Sequence, residues 1–167
     1  SWEMFQILSQ IAWDEYFPIY VLSKSDDYDL NQINSFESGF KRNYFIERLT
    51  LPRDPNTRLL SPFVLYNSFL CFLQSLQILL RYKPICLLSN GPNLCVPPIY
   101  AVAFLRKLHF IGTKILYVES MSRVNTLSIS ARLVKGVTDF MWGFWPEVCT
   151  QKNLFPCSSL EFIKAGK

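Results

Sequence analysis

Short runs rich in isoleucine, valine, tyrosine and phenylalanine recur along this chain and alternate with stretches of helical spacing. That alternation restricts the fold more than any other feature, because strands separated by helix-length segments join in parallel through crossovers. An α/β chain is expected: a Rossmann-like parallel sheet with helices on both faces. The candidate strands are Phe17–Ser23, Phe45–Leu51, Ile85–Asn90, Ile111–Glu119 and Asp139–Trp145. The candidate helices are Trp2–Trp13, Leu59–Arg81, Pro98–Leu108 and Thr126–Val137. In the first of these Met4, Leu8 and Ile11 share a face, Ser1 is an N-cap candidate and Glu3 sits in the first turn. Asp26–Lys41 and Pro52–Ser61 read as linkers, the second offering Arg53 and Arg58 either to solvent or to a ligand phosphate.

A doubly wound sheet ordinarily opens on a strand, a tight loop and then a helix, whereas the reading here opens on the helix. A strand and a phosphate-cradling loop are therefore expected ahead of Ser1. Ser1-Trp2-Glu3 has none of the marks of a secretory leader. The regular alternation fades after Trp145-Pro146. The chain thus divides into a Rossmann-like domain, 1–148, and a carboxyl-terminal tail, 149–167.

With 167 residues, one domain with a sizeable core is expected. Half of the residues are apolar, and charged residues make up 18%, below the usual quarter or so. The +4 charge is spread rather than clustered, so no nucleic-acid surface is expected. Cys71, Cys86, Cys95, Cys149 and Cys157 contain no C-x-x-C pair and read as reduced thiols on the cytosolic side. His109, the single histidine, has no partner at metal-ligand spacing, and no metal is expected. Pro62 to Leu80 approaches bilayer-spanning length, but Asn67, Ser68, Gln74, Ser75 and Gln77 interrupt it. It reads as a core helix whose surplus apolar face rests on a membrane or a partner.

Ligands of open α/β sheets bind beyond the carboxyl ends of the strands, so polar residues just after strands are the ones to weigh. Three stretches qualify. In "LLSNGPNLCVPP" the strand stops at Ser89-Asn90, and Gly91-Pro92 turn the chain towards a helix opening at Pro97-Pro98. Gly91 permits a ligand to approach the backbone; a plain connection is the alternative. In "YVESMSRV" a strand delivers Glu119, Ser120, Ser122 and Arg123 to the same rim if the two strands are neighbours. Glu119 can bind a hydroxyl or accept its proton and Arg123 can bind a diphosphate; an ion pair between the two is the alternative. "TDFMWGFWPEV" closes a last strand with Trp145-Pro146, where core or partner contacts are expected.

In order and spacing, "SNGPNLCVPP", "YVESMSRVNTLSIS" and "DFMWGFWPEV" together resemble the asparagine-linked glycosylation protein fourteen family. Asn90-Gly91-Pro92 and Cys95-Val96-Pro97 match the family's Asn-Gly-Pro and Cys-Val-Pro. Tyr117-Val118-Glu119-Ser120 matches its Tyr-Val-Glu-Ser, with Arg123, Leu127 and Ser128 in register, and Trp145-Pro146 matches its Trp-Pro. Phe144 and Ala131 depart from the usual Gln and Gly. The arginine-rich loop is reduced to "LPRDPNTRLL", and the ending "CTQKNLFPCSSLEFIKAGK" differs from the family's partner-holding segment.

The resemblance implies the amino-terminal, acceptor-side half of a GT-B glycosyltransferase, similar to the MurG type. It implies a subunit, not active alone, of the UDP-N-acetylglucosamine transferase that adds the second N-acetylglucosamine to dolichyl diphosphate-linked N-acetylglucosamine. No cofactor is expected; the donor UDP-N-acetylglucosamine is held by a separate catalytic subunit, and the acceptor is a lipid-linked sugar diphosphate. The location implied is the cytosolic face of the endoplasmic reticulum membrane. Glu119 is then expected to orient the acceptor hydroxyl or act as base; Asn90, Gly91, Pro92, Ser120 and Arg123 bind substrate; Trp145 and Pro146 meet the partner. A bacterial-type polysaccharide glycosyltransferase subunit and a non-catalytic scaffold recruiting a partner to membranes are the rival expectations.

Overall fold

The computed structural model describes residues 2–9, 11, 16–24, 26–40, 42–53, 61–91, 93–152 and 154–156. Its elements run in the order α1 (Trp2–Leu8), β1 (Ile19–Ser23), α2 (Asp27–Ser38), β2 (Phe45–Leu49), α3 (Pro62–Tyr82) and β3 (Cys86–Asn90). A short 3-10 turn (Asn93–Cys95) leads into α4 (Val96–Lys107), β4 (Lys114–Val118), α5 (Ile129–Val134), β5 (Phe140–Gly143), α6 (Pro146–Lys152) and β6 (Phe155–Pro156). Every strand pairing is parallel.

The expected α/β fold of parallel strands flanked by helices is observed, with the strands falling in two sheets, β1-β2 and β3-β4-β5-β6. Among the described residues β1 pairs only with β2, and β3 only with β4, so the two inner edges share no ladder. Helices cover both faces of the larger sheet, and the pleat sorts β4 between them. Ile115 and Tyr117 point into a core with Ile99, Val102, Leu105, Ala131 and Val134, built by α4 and α5. Val118 points the other way and meets Ile7 of α1 and Trp142 of β5. α1 extends to the first sheet's side, where Phe5 meets Phe36 of α2 at 5.1 Å.

Local chemistry explains the element ends. Ser128 caps α5, its Oγ accepting from the Ala131 N–H at 3.1 Å, which trims the expected Thr126–Val137 helix to its capped core. Prolines in the first turn open α3 and α4 without losing a helical hydrogen bond.

The Asp26–Lys41 linker is a correction: most of it is the helix α2. Asp26 caps it by accepting from the Asp29 N–H at 3.1 Å. Its buried side includes Ile33 and a carboxylate, Glu37, which accepts from Arg42 Nε at 2.6 Å, Arg42 Nη2 at 2.7 Å and the Tyr20 hydroxyl. Burial pushes the Glu37 carboxyl up, but the Arg42 and Tyr20 hydrogen bonds outweigh it and hold it below the ordinary carboxylate range. At the base of the other sheet Asp139 accepts from Arg106 at 2.7 and 3.0 Å and from the Ile115 N–H at 2.7 Å. There too the hydrogen bonds override desolvation and lower the carboxyl.

The tail expected after Val148, with at most one short helix, holds a helix and also a strand among the described residues. α6 and the short β6 add a strand beside β5, through Trp142 against Phe155 and Gly143 against Pro156. Within the expected Pro52–Ser61 linker, Arg58 lies outside the described residues and Arg53 is half-buried.

Candidate functional site

The register of β3 against β4 sets Asn90 opposite Val118, so the first two motif stretches leave the sheet side by side. Gly91 follows with φ +111°, a conformation that residues with a Cβ adopt rarely. Its carbonyl accepts from Cys95 Sγ at 2.7 Å, folding the turn back onto the start of α4. Burial pushes the Cys95 thiol up to about 11, which keeps it protonated and donating near neutral pH. Pro92 lies outside the described residues.

Glu119 continues the β4–β5 ladder, its N–H donating to the Trp142 carbonyl at 2.9 Å. Its side chain is 2% exposed and turns inward. Oε1 accepts from the Ser120 N–H at 3.0 Å and Oε2 from the Ser128 N–H at 2.8 Å. One carboxylate therefore closes the loop from Ser120 to Ser128 at both ends. Sequence reasoning places Glu119 on the rim but does not give its direction: both of its oxygens turn in and meet backbone N–H groups of the loop. Beneath the loop the buried Tyr117 hydroxyl lies 3.3 Å from Ser128 Oγ. The loop starts with a turn in which the Arg123 N–H donates to the Ser120 carbonyl at 3.0 Å, leaving the Arg123 side chain exposed.

A second carboxylate does reach the rim, and it comes from α1. Glu3 Oε2 accepts from Asn90 Nδ2 at 3.2 Å, while Oε1 accepts from Ser120 Oγ at 3.2 Å and from the Met121 N–H at 3.1 Å. Trp145 completes the join, its Nε1 donating to the Met121 carbonyl at 2.7 Å. Met121 thus links Glu3 on one side to the third motif on the other. The Trp145 side chain otherwise stands 40% exposed, and Pro146 begins α6 behind it. The result is a polar rim in which Asn90, Glu3, Ser120, Met121 and Trp145 form one hydrogen-bonded chain, with Ser122 Oγ 3.1 Å from Ser120 Oγ at its outer side.

Residues 1–156 of this chain match the family described as "Oligosaccharide biosynthesis protein Alg14 like". The chain belongs to the Alg14 family. Among the proteins similar to it are those named UDP-N-acetylglucosamine transferase subunit ALG14. The Yarrowia lipolytica protein is 31% identical over 150 residues, covering 87% of this chain and 68% of that protein. The Homo sapiens protein is 31% identical over 147 residues, covering 83% and 66%. The chain therefore spans about two thirds of the length of the curated relatives it matches. A crystal structure of Acinetobacter baumannii MurG gives a TM-score of 0.49 at 12% identity, over 86% of this chain and 44% of that one.

Within this Alg14 chain the three motif stretches singled out in the sequence do converge, but the residue joining them was not among the expected site residues. Glu3 lies far from all of them in sequence and satisfies a simpler explanation, an acidic residue in a helix's first turn. Only the packing of α1 over Val118 and Trp142 brings it to the ends of β3 and β4.

Proposed function

We propose that this chain is the acceptor-side subunit of a UDP-N-acetylglucosamine transferase, adding a second N-acetylglucosamine to dolichyl diphosphate-linked N-acetylglucosamine at the cytosolic face of the endoplasmic reticulum. The observation that carries this reading is the joining of three Alg14-type motif stretches into one rim by Glu3, Met121 and Trp145. A rim of hydroxyls and a carboxylate suits a sugar, and the neighbouring exposed guanidinium of Arg123 suits a diphosphate. A separate subunit supplies the donor site, as expected of the amino-terminal half of a GT-B enzyme. The exposed part of Trp145 and the start of α6 at Pro146 are the surface offered to it.

Glu119 then acts as a positioning residue: it holds the loop carrying Ser120 and Arg123, while Glu3 fixes that loop relative to Asn90 and the Gly91 turn. The acceptor's 4-hydroxyl gives its proton to a general base of the assembled transferase as its oxygen attacks the anomeric carbon of the donor sugar, the UDP leaves from the opposite side, and the configuration inverts. Two sheets whose inner edges, β1 and β3, each lack a second partner among the described residues would be joined by one further parallel strand leading into α1.

A photoreactive analogue of the lipid diphosphate sugar tests the acceptor assignment. Labelling of the Ser120–Arg123 segment, displaced by authentic acceptor and weakened in Arg123→Ala, is expected. Labelling confined to the donor-binding subunit would remove the acceptor role from this chain.

A further inference from the structure

From Pro55 to Val118 the sequence contains no aspartate or glutamate, while Arg58, Arg81, Lys83, Arg106, Lys107 and Lys114 fall within it. This stretch builds α3 and α4, which pack on one another. α5, beside them on the same side of the larger sheet, carries no acid either. The opposite side differs, with Glu3 in α1 and Asp27 and Asp29 in the first turn of α2.

The outer surface of the acid-free side is apolar. α3 buries Val64, Cys71, Ser75 and Leu79, and on its opposite stripe exposes Leu65, Tyr66, Phe69, Leu73 and Leu80. α4 continues the surface, with Phe104 meeting Phe72 at 6.0 Å and Tyr100 exposed beside it. The Tyr100 hydroxyl donates to the Leu133 carbonyl, joining the exposed Leu133 of α5 to the same face. Exposed Lys83 and Lys107 stand at the carboxyl ends of α3 and α4, while Arg81 is paired with Glu47 of β2 at 3.5 Å. Contiguous apolar surface on this scale marks an interaction site.

α3 is long and apolar enough to cross a bilayer, but its place in the fold rules that out. Gln74 accepts from the Thr50 N–H at 2.9 Å and donates to Thr50 Oγ1 at 3.2 Å, and the Tyr82 hydroxyl donates to Glu47 at 2.7 Å. Leaving the fold would break these bonds and strip α4 of its cover. We infer that the α3–α4–α5 face lies flat on an anionic bilayer, its apolar stripe in the headgroup boundary and Lys83 and Lys107 at the lipid phosphates. A lipid surface accounts for three neighbouring helices that carry basic residues and no acidic one, where a protein partner would usually call for both signs. The inference deepens the membrane location proposed above and rests on it.

The test mixes the purified protein with phosphatidylcholine vesicles and with vesicles that also contain phosphatidylserine. Sedimentation with the anionic vesicles, falling as salt rises, is expected. With each lysine worth about fivefold in partition, Lys83→Glu with Lys107→Glu should weaken it at least about twenty-five-fold. Phe69→Asp with Leu73→Asp should abolish it, and circular dichroism should stay unchanged in both double variants because all four side chains are exposed. Failure of the wild type to sediment, or equal sedimentation of folded variants, overturns the inference. So does loss of the donor-binding subunit, rather than of vesicles, from the Phe69–Leu73 variant. If transfer fails in detergent while this face still captures anionic vesicles, the lipid inference stands and the transferase proposal falls.

Discussion

Glu3 and Asn90, 87 residues apart, meet at 3.2 Å where α1 crosses the end of β3. The other oxygen of the same carboxylate takes two donors from the Ser120–Met121 turn, so one side chain sets the distance between two motif loops. Removing it should disturb the rim more than the core. In the assembled transferase, Glu3→Ala is expected to lower kcat/KM by about a hundredfold, the scale of a small misplacement of reacting groups. Glu3→Gln keeps one acceptor and should lose less. A loss in Glu3→Ala that thermal unfolding explains fully would argue against a positioning role.

Glu119 carries the opposite expectation. Its two oxygens satisfy two backbone N–H groups in a buried place, so Glu119→Ala should cost about 1–3 kcal/mol of stability, read by urea denaturation. Glu119→Gln retains a single acceptor oxygen and should be intermediate. Were Glu119 a base facing solvent, the Gln variant would instead keep full stability and lose turnover together with the basic limb of its pH profile.

Gly91 isolates a backbone effect. Nothing lies within 4 Å of where its Cβ would stand, yet φ is +111°. Gly91→Ala should therefore destabilise by about 1–2 kcal/mol through conformation alone. A neutral substitution would mean that the turn relaxes to negative φ.

Acid should weaken the fold through Glu37 and Asp139. Both carboxyls are held below the ordinary range, so each contributes stability that is complete above the unfolded value and is lost as pH falls through the folded one. Unfolding free energy measured from neutrality downward should begin to drop near about pH 4, where free carboxyls protonate. Glu37→Gln and Asp139→Asn should each start from a lower value and show a shallower fall. An unchanged slope in both would contradict the assignment.

The strands are legible in the sequence because apolar β-branched runs ending in polar residues have few alternative structures, and all five candidates contain an observed strand. α2 is hidden because part of its inward side is charged: Glu37 is buried against Arg42 rather than against aliphatic groups, so the apolar period is broken. α6 and β6 fall where the alternation has ended, and their burial depends on Cys149 and Leu154 reaching the core from a polar stretch. At the site, the motif positions could be read but not the side-chain directions. Glu119 turns in and Glu3 arrives from another element, and both outcomes are set by tertiary packing.

The most direct measurement of the central claim is transfer itself. The protein, combined with a donor-binding subunit, is given UDP-N-acetylglucosamine and dolichyl diphosphate-linked N-acetylglucosamine. Product carrying a second N-acetylglucosamine only when both subunits are present is the predicted result. Transfer by the donor-binding subunit alone, or none from a pair that associates stably, would contradict it.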